Sequence, residues 1–419
     1  MMRKLTLLSI LLIPGLMLIA GCGQETDLPT APAALERGTV TYVPDAFAAA
    51  MNPDGSSASY GVYLPPGYDE NRTAGYPVLY LLHGFGGNEH YFTVLFNTPL
   101  VADKLLAAGR IDPMIIVFPS GKNMLGGSFY TDSPDHPAVN NSEQHILGII
   151  AEVDANYNTI TDATGRAIGG TSMGAFGAMS IAMNNPGLFS SISSLAGPLS
   201  FLGGQLTPGD PSDDGYTGIS MILPTVLAET GYDAVLAENP AGDATQYRAM
   251  MYPTAARRVT SFMFAMAAAF SPTPDPTNPG PTTILALPNG TPIGVDLPID
   301  IDGSVYAPVF MNRWLQFDPV SRLAAQAVNI APPGVKTYLD AGEHDDLGMN
   351  FSHAFFAGAY QLAFGIGPTV NNSNGHQIND AYPGYGDLPN IGGGVILANH
   401  TAQNFARLEP LLRFHSDNF

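Results

Sequence analysis

The sequence predicts an α/β fold with a mostly parallel central sheet and helices on both faces. Short apolar runs recur along the chain, stretches with helical spacing lie between them, and prolines bracket the runs as breakers. Val78–Leu82 and Met114–Phe118 read as buried strands, bounded by Pro77, Pro113 and Pro119. The segment Glu143–Ala155 places Ile146, Ile149, Ile150 and Val153 on one helical face. Arg166–Gly169 reads as the next strand, followed by a helix that starts after Gly174 and ends near Asn184, because Asn185-Pro186-Gly187 cannot continue it. Ser191–Leu195 and Val335–Leu339 are two further strands, and Ala402–Arg413 carries the apolar face of a terminal helix through Phe405, Leu408, Leu411 and Leu412. Between Pro198 and Pro332 the alternation weakens into a Met- and Ala-rich stretch, 247–270, and a proline-rich run, 271–281. That region reads as an insertion able to roof a site.

Composition narrows the function classes. With 45% hydrophobic and 12% charged residues, the 419-residue chain can bury a large core and is not a disordered polymer. Its net charge of −20, with no basic run beyond the first few residues, repels phosphate backbones and argues against a nucleic-acid partner.

The amino terminus reads as an export signal. Arg3 and Lys4 precede an apolar stretch, Leu5 to Ala20, that is short for a membrane span of about 20 residues. It ends in Ile19-Ala20-Gly21-Cys22, which resembles the lipobox of bacterial lipoproteins. The resemblance implies a signal peptide over 1–21, lipidation at Cys22, a tether over 22–37 and an anchored domain over 38–419, placed in the bacterial cell envelope. Cys22 is the only cysteine, so no disulfide can form within the chain.

The chemistry centres on Gly170-Thr171-Ser172-Met173-Gly174, a G-x-S-x-G segment where a predicted strand gives way to a predicted helix. In a nucleophile elbow the turn is so tight that the flanking residues must be small, and the serine is pushed out over the carboxyl end of the sheet. The following helix aims its first amides at negative charge formed there. A serine hydroxyl needs a base, and the base needs a carboxylate to hold its tautomer. In α/β-hydrolases these follow in the order serine, acid, histidine. The segment after the fifth predicted strand offers Asp340, Glu343, Asp345 and Asp346.

Four segments, "VYLPPGYDENRTAGYPVLYLLHGFGG", "FYTDS", "RAIGGTSMGAFGAM" and "YLDAGEHDDL", together resemble the esterase D-like branch of the α/β-hydrolases, which includes S-formylglutathione hydrolases, feruloyl and acetylxylan esterases, enterochelin esterases and mycolyltransferases. The resemblance implies an α/β-hydrolase fold with a long insertion after the sixth strand, at about 199–330. It implies a serine esterase with Ser172 as nucleophile and Asp345 as acid. The base is His400, which precedes the terminal helix, or His376, which follows a glycine as the family's histidine usually does. The oxyanion donors are the amides of Met173 and Phe85, the residue after "HG" in His83-Gly84-Phe85-Gly86-Gly87. His344, His353 and His415 fit surface or core positions better than the chain order of a triad.

Asp300-Ile301-Asp302-Gly303 hints at a calcium loop but lacks the third acidic position and the distal glutamate, and no His-rich metal spacing is present, so neither metal nor cofactor is expected. The segment leads into Trp314-Leu315-Gln316-Phe317-Asp318-Pro319, for which a structural use is expected. An acyltransferase of the mycolyltransferase type and a non-catalytic binding protein on the same scaffold are the alternatives to hydrolysis of an extracytoplasmic ester.

Overall fold

Eleven strands matter for the site in the computed structural model: β1 (Thr39–Pro44), β2 (Ser59–Leu64), β3 (Val78–Leu82), β4 (Ile115–Phe118), β5 (Arg166–Thr171), β6 (Ser191–Leu195), β7 (Pro272–Thr273), β8 (Thr282–Ala286), β9 (Pro292–Asp296), β10 (Lys336–Asp340) and β11 (Thr369–Val370). The structure describes residues 35–133, 141–201, 258–273, 282–286, 292–298, 307–331, 334–342, 345, 349–370, 387–389, 395–397 and 404–419. Eight of the strands form one sheet in the order β1-β2-β4-β3-β5-β6-β10-β11. β2 runs antiparallel to both β1 and β4, and every other neighbouring pair is parallel. This is the topology of an α/β-hydrolase.

Around the sheet lie α1 (Ala46–Met51), α2 (Thr98–Ala107), α3 (Ser142–Asn156), α4 (Met173–Asn184), α5 (Arg258–Phe270), α6 (Pro319–Gln326), α7 (Met349–Phe364) and α8 (Asn404–Ser416). Successive side chains of a strand point to opposite faces, and β3 shows the consequence. Val78, Tyr80 and Leu82 enter one core with α3, α4 and α5, whereas Leu79 and Leu81 enter a second core with α2 and α8. Burial on both faces is why β3 and β4 read as unbroken apolar runs and not as alternating ones.

The predicted strands and helices lie within one or two residues of their observed positions, apart from the last. That terminal helix is observed at Asn404–Ser416, so it begins two residues later and ends three residues later than its apolar face alone suggests. The β1–β2 pair was not foreseen: β1 is largely exposed, so its sequence lacks a buried run. Its entry is fixed by Asp103, which is wholly buried and accepts from Arg37 Nε (2.6 Å), the Gly38 amide (2.9 Å) and Tyr63 Oη (2.7 Å).

Between β6 and β10 the described residues contribute to the core. From Ser261 to Phe270 every residue of α5 is buried. Phe270 packs against Phe129, Phe176, Phe201, Trp314 and Phe317. β7, β9 and β8 form a separate antiparallel sheet in that order. The Trp-to-Asp-Pro segment has a structural use: Trp314 is wholly buried and donates to Ser271 Oγ (2.8 Å), and Asp318 caps α6 by accepting from the Ser321 amide (2.8 Å) while also holding the Phe201 amide (2.6 Å). Asp300 and Asp302 lie outside the described residues.

Candidate active site

β5 ends at Thr171 and α4 begins at Met173, so Ser172 alone makes the turn. Its backbone is at φ 54° and ψ −119°, a conformation that side-chain-bearing residues rarely adopt, which costs about 1–3 kcal/mol and persists only where the surroundings impose it. Here the imposition is visible. The Ser172 amide donates to the Leu195 carbonyl at the end of β6 (2.8 Å), and the Ser172 carbonyl accepts the first helical bond from Phe176 (3.1 Å). The flanking glycines are demanded by contact. A Cβ on Gly174 would overlap the Leu82 carbonyl oxygen and lie 2.7 Å from the His83 carbonyl oxygen; one on Gly170 would overlap the Gly174 backbone and lie 2.7 Å from the Leu82 carbonyl oxygen. α4 therefore begins directly against the end of β3. Met173 stands in its first turn, where amides have no intrahelical acceptor.

The loop after β3 lies beside the elbow: a Cβ on Gly84 would sit 3.4 Å from Ser172 Cβ. The loop is held by His83, a residue for which the sequence reading assigned no role of its own. His83 Nδ1 donates to the Gly84 carbonyl (2.8 Å) and Nε2 accepts from the Gly121 amide (2.9 Å), which fixes the tautomer. Tyr130 Oη donates to the His83 carbonyl (3.1 Å), and the Gly86 amide donates to the Gly126 carbonyl (2.9 Å). Phe85 turns its ring onto Phe262 of α5, edge to face at 5.4 Å, so α5 touches the expected oxyanion loop. The "HG" and "FYTDS" segments were the available signals for this clamp. Their role appears only when the two loops meet.

Burial pushes the His83 imidazole down to about 4, so it stays neutral at physiological pH and serves as a staple and not as a base. Its neutral form is favoured in the folded state, so its contribution to stability is complete above the ordinary histidine value near 6.5 and is lost as pH falls from there through about 4. The stability difference between wild type and His83→Gln, measured by urea unfolding, is expected to shrink over that window. A difference that stays constant from pH 7 to 4 would contradict the neutral clamp.

Asp345 is buried in the loop after β10, where its amide donates to the Gly342 carbonyl (3.1 Å). β10 is parallel to β6, and β6 to β5, so Asp345 follows the same end of the sheet as Ser172. Asp340 is engaged elsewhere: it is wholly buried, accepts from Tyr338 Oη (3.0 Å) and pairs with Arg407 of α8 (3.4 Å). Glu343, Asp346, His344, His376, His400 and Cys22 lie outside the described residues.

Two other histidines are occupied within the core. His353 Nε2 accepts from the Gly197 amide (2.9 Å) and meets Ser194 Oγ (2.9 Å). His415 bridges Ser191 Oγ and Ser193 Oγ, each at 2.8 Å, and burial holds its imidazole down to about 3.

Residues 54–245 match the family described as "Putative esterase". The match covers a little under half of the chain. The resemblance to the esterase D-like branch is borne out there. The chain is similar to the protein named Esterase Rv1288 of Mycobacterium tuberculosis, 37% identical over 149 residues, covering 35% of this chain and 30% of that one. It is also similar to an endo-1,4-beta-xylanase/feruloyl esterase of Xylanibacter ruminicola, 34% identical over 139 residues, covering 32% of this chain and 19% of that one. The chain thus spans less than a third of the length of either relative. Among solved structures, an S-formylglutathione hydrolase from Agrobacterium tumefaciens is 14% identical with a TM-score of 0.47, covering 92% of this chain and 96% of that one. A ferulic acid esterase is 17% identical with a TM-score of 0.46, covering 91% and 99%.

Proposed function

We propose that the protein is a serine carboxylic-ester hydrolase that works through an acyl-enzyme on Ser172, anchored in the cell envelope by a lipid on Cys22. The observation that carries the reading is the strained Ser172 turn, locked between Leu195 and Phe176 with glycines on both sides where no Cβ fits. A strained serine at the head of a buried helix has no packing purpose that alanine or glycine would not serve better. The family match and the two curated relatives named as esterases support the same reaction class.

In this reading Ser172 Oγ attacks the ester carbonyl carbon and passes its proton to His400, with His376 as the alternative base. The amides of Met173 and Phe85 hold the oxyanion, each such donor contributing about 3 kcal/mol to transition-state stabilisation. The tetrahedral intermediate collapses, the bond to the alcohol oxygen breaks, and the histidine returns the proton to the leaving alcohol. Water, deprotonated by the same histidine, then releases the acid and restores Ser172. Asp345 orients the imidazole and stabilises its charged form.

A fluorophosphonate probe tests the nucleophile. Labelling is expected on the peptide that carries Ser172, and a folded protein that takes up no probe would count against the enzyme reading. Parallel assays of His400→Ala and His376→Ala on a p-nitrophenyl ester identify the base. His400→Ala is expected to lose activity by roughly a million-fold, as removal of the nucleophile does, and His376→Ala to retain most of it, and the reverse result would reassign the base.

A further inference from the structure

Directly after the loop that follows β3, the chain leaves two neighbouring apolar side chains in water. Tyr91–Leu95 forms a π-helical turn, an uncommon element that recurs at functional sites. Its outer residues Val94 and Leu95 are 70% and 67% exposed, next to each other. The turn is not loosely attached. Phe92 is buried, Tyr42 Oη and Thr93 Oγ1 share a hydrogen bond of 2.6 Å, and the Tyr42 and His90 rings meet at 4.2 Å. The two apolar side chains are therefore displayed by a fixed scaffold.

They form one wall of a groove of about 430 Å³, within the roughly 300–1,000 Å³ usual for small-ligand sites. Phe85, Gly86 and Gly87 also line it, in the loop after β3 whose Gly84 lies against Ser172. Asn88 and His90 line the groove too, and among the described residues no lysine, arginine, aspartate or glutamate does, in a chain with 36 acidic residues. Both hydrogen-bonding ends of the Asn88 side chain are already used, by the Ser56 carbonyl (3.0 Å) and the His90 amide (3.0 Å). A groove of this lining offers little to a charged ligand and gains from covering alkyl or aromatic carbon.

We infer that this groove, from Phe85 to Val94 and Leu95, is the subsite for the apolar alkyl or aryl group of an uncharged ester whose carbonyl sits at Ser172. The inference rests on the esterase reading, because the loop that would hold the carbonyl oxygen is itself one wall of the groove. Continuity with that loop is what distinguishes it from an incidental apolar patch. Val94 and Leu95 select the substrate by the carbon they cover and take no part in the bond-making steps.

The test compares Val94→Ser and Leu95→Ser with wild type on two ester series, one lengthening the acyl chain of p-nitrophenyl esters from acetate to octanoate, the other lengthening the alcohol of acetate esters. Both side chains are exposed, so both variants are expected to fold, and thermal unfolding checks this. In one series the ratio of kcat/KM for the long ester to that for the short one is expected to fall by about tenfold or more, and the responding series identifies which half of the ester occupies the groove. If wild type hydrolyses the short esters and neither ratio moves in either variant, the groove assignment is wrong and the esterase reading stands. If wild type hydrolyses none of the esters and takes up no fluorophosphonate, the esterase reading has failed and the subsite falls with it. Octanoate turnover that rises only in the presence of anionic vesicles, with unchanged ratios in solution, would make the patch a lipid-surface contact and overturn the assignment.

Discussion

Ser172→Ala is expected to reduce hydrolysis of a short p-nitrophenyl ester by roughly a million-fold, down to what binding and oxyanion donors alone supply. The size follows from the mechanism: without the hydroxyl no acyl-enzyme forms, and the remaining groups act on a water that nothing positions. The fold should survive, because the Ser172 amide and carbonyl make the turn's hydrogen bonds and alanine keeps both. Ser172→Gly separates chemistry from strain. Glycine accepts φ 54° and ψ −119° without penalty, so this variant should be inactive yet more stable than wild type by about 1 kcal/mol, after the entropy glycine adds to the unfolded chain. Urea unfolding of the three proteins reads this directly. Retained turnover in Ser172→Ala would place the nucleophile elsewhere. A Ser172→Gly protein less stable than Ser172→Ala would mean that the turn is not strained.

Gly174→Ala is expected to abolish folding and not merely activity. The added methyl would meet the carbonyl oxygens of Leu82 and His83, backbone atoms at the end of a central strand that cannot swing aside as a side chain would. Relief would require α4 to lift off β3, β5 and β6, uncovering residues that are almost all fully buried. A cost above about 4 kcal/mol removes most of the stability of a typical domain. Gly148→Ala is the matching control. Gly148 is exposed on α3 with nothing within 4 Å of its added Cβ, so alanine there should raise stability by up to about 1 kcal/mol. Soluble yield and unfolding midpoint are the measurements, and a well-folded Gly174→Ala protein would refute the close approach of α4 to β3.

Much of this arrangement was legible beforehand. β3, β4 and β6 are short, almost wholly buried runs flanked by breakers, and such runs announce themselves regardless of what surrounds them. The Ser172 turn was legible because a tight strand-to-helix bend restricts residue type at positions only two apart. The acid was narrowed by chain order and resemblance to Asp345, and the structure adds a reason to set Asp340 aside, since Arg407 and Tyr338 occupy it.

The parts that were not legible share a cause. α5 is buried at every residue from Ser261 to Phe270, and that burial is a property of the packed molecule, supplied by segments distant in the chain. His83 stands in a legible "HG" segment, but its role as a clamp was not legible, since the Gly121 amide that completes it is supplied from 38 positions away. The exposed pair Val94 and Leu95 reads in sequence like any other core segment, and only the π-helical turn over buried Phe92 carries it to the surface.

By itself the sequence determined the local conformations: which runs become strands, where helices stop, and that a serine must stand alone at a bend flanked by glycine. The tertiary structure alone decided what those glycines avoid, which histidine stays neutral to hold a loop, and which apolar side chains of the π-helical turn face water. Local conformation depends on residues a few positions apart, so it can be read along the chain, whereas contact, burial and protonation depend on groups brought together from distant segments by packing.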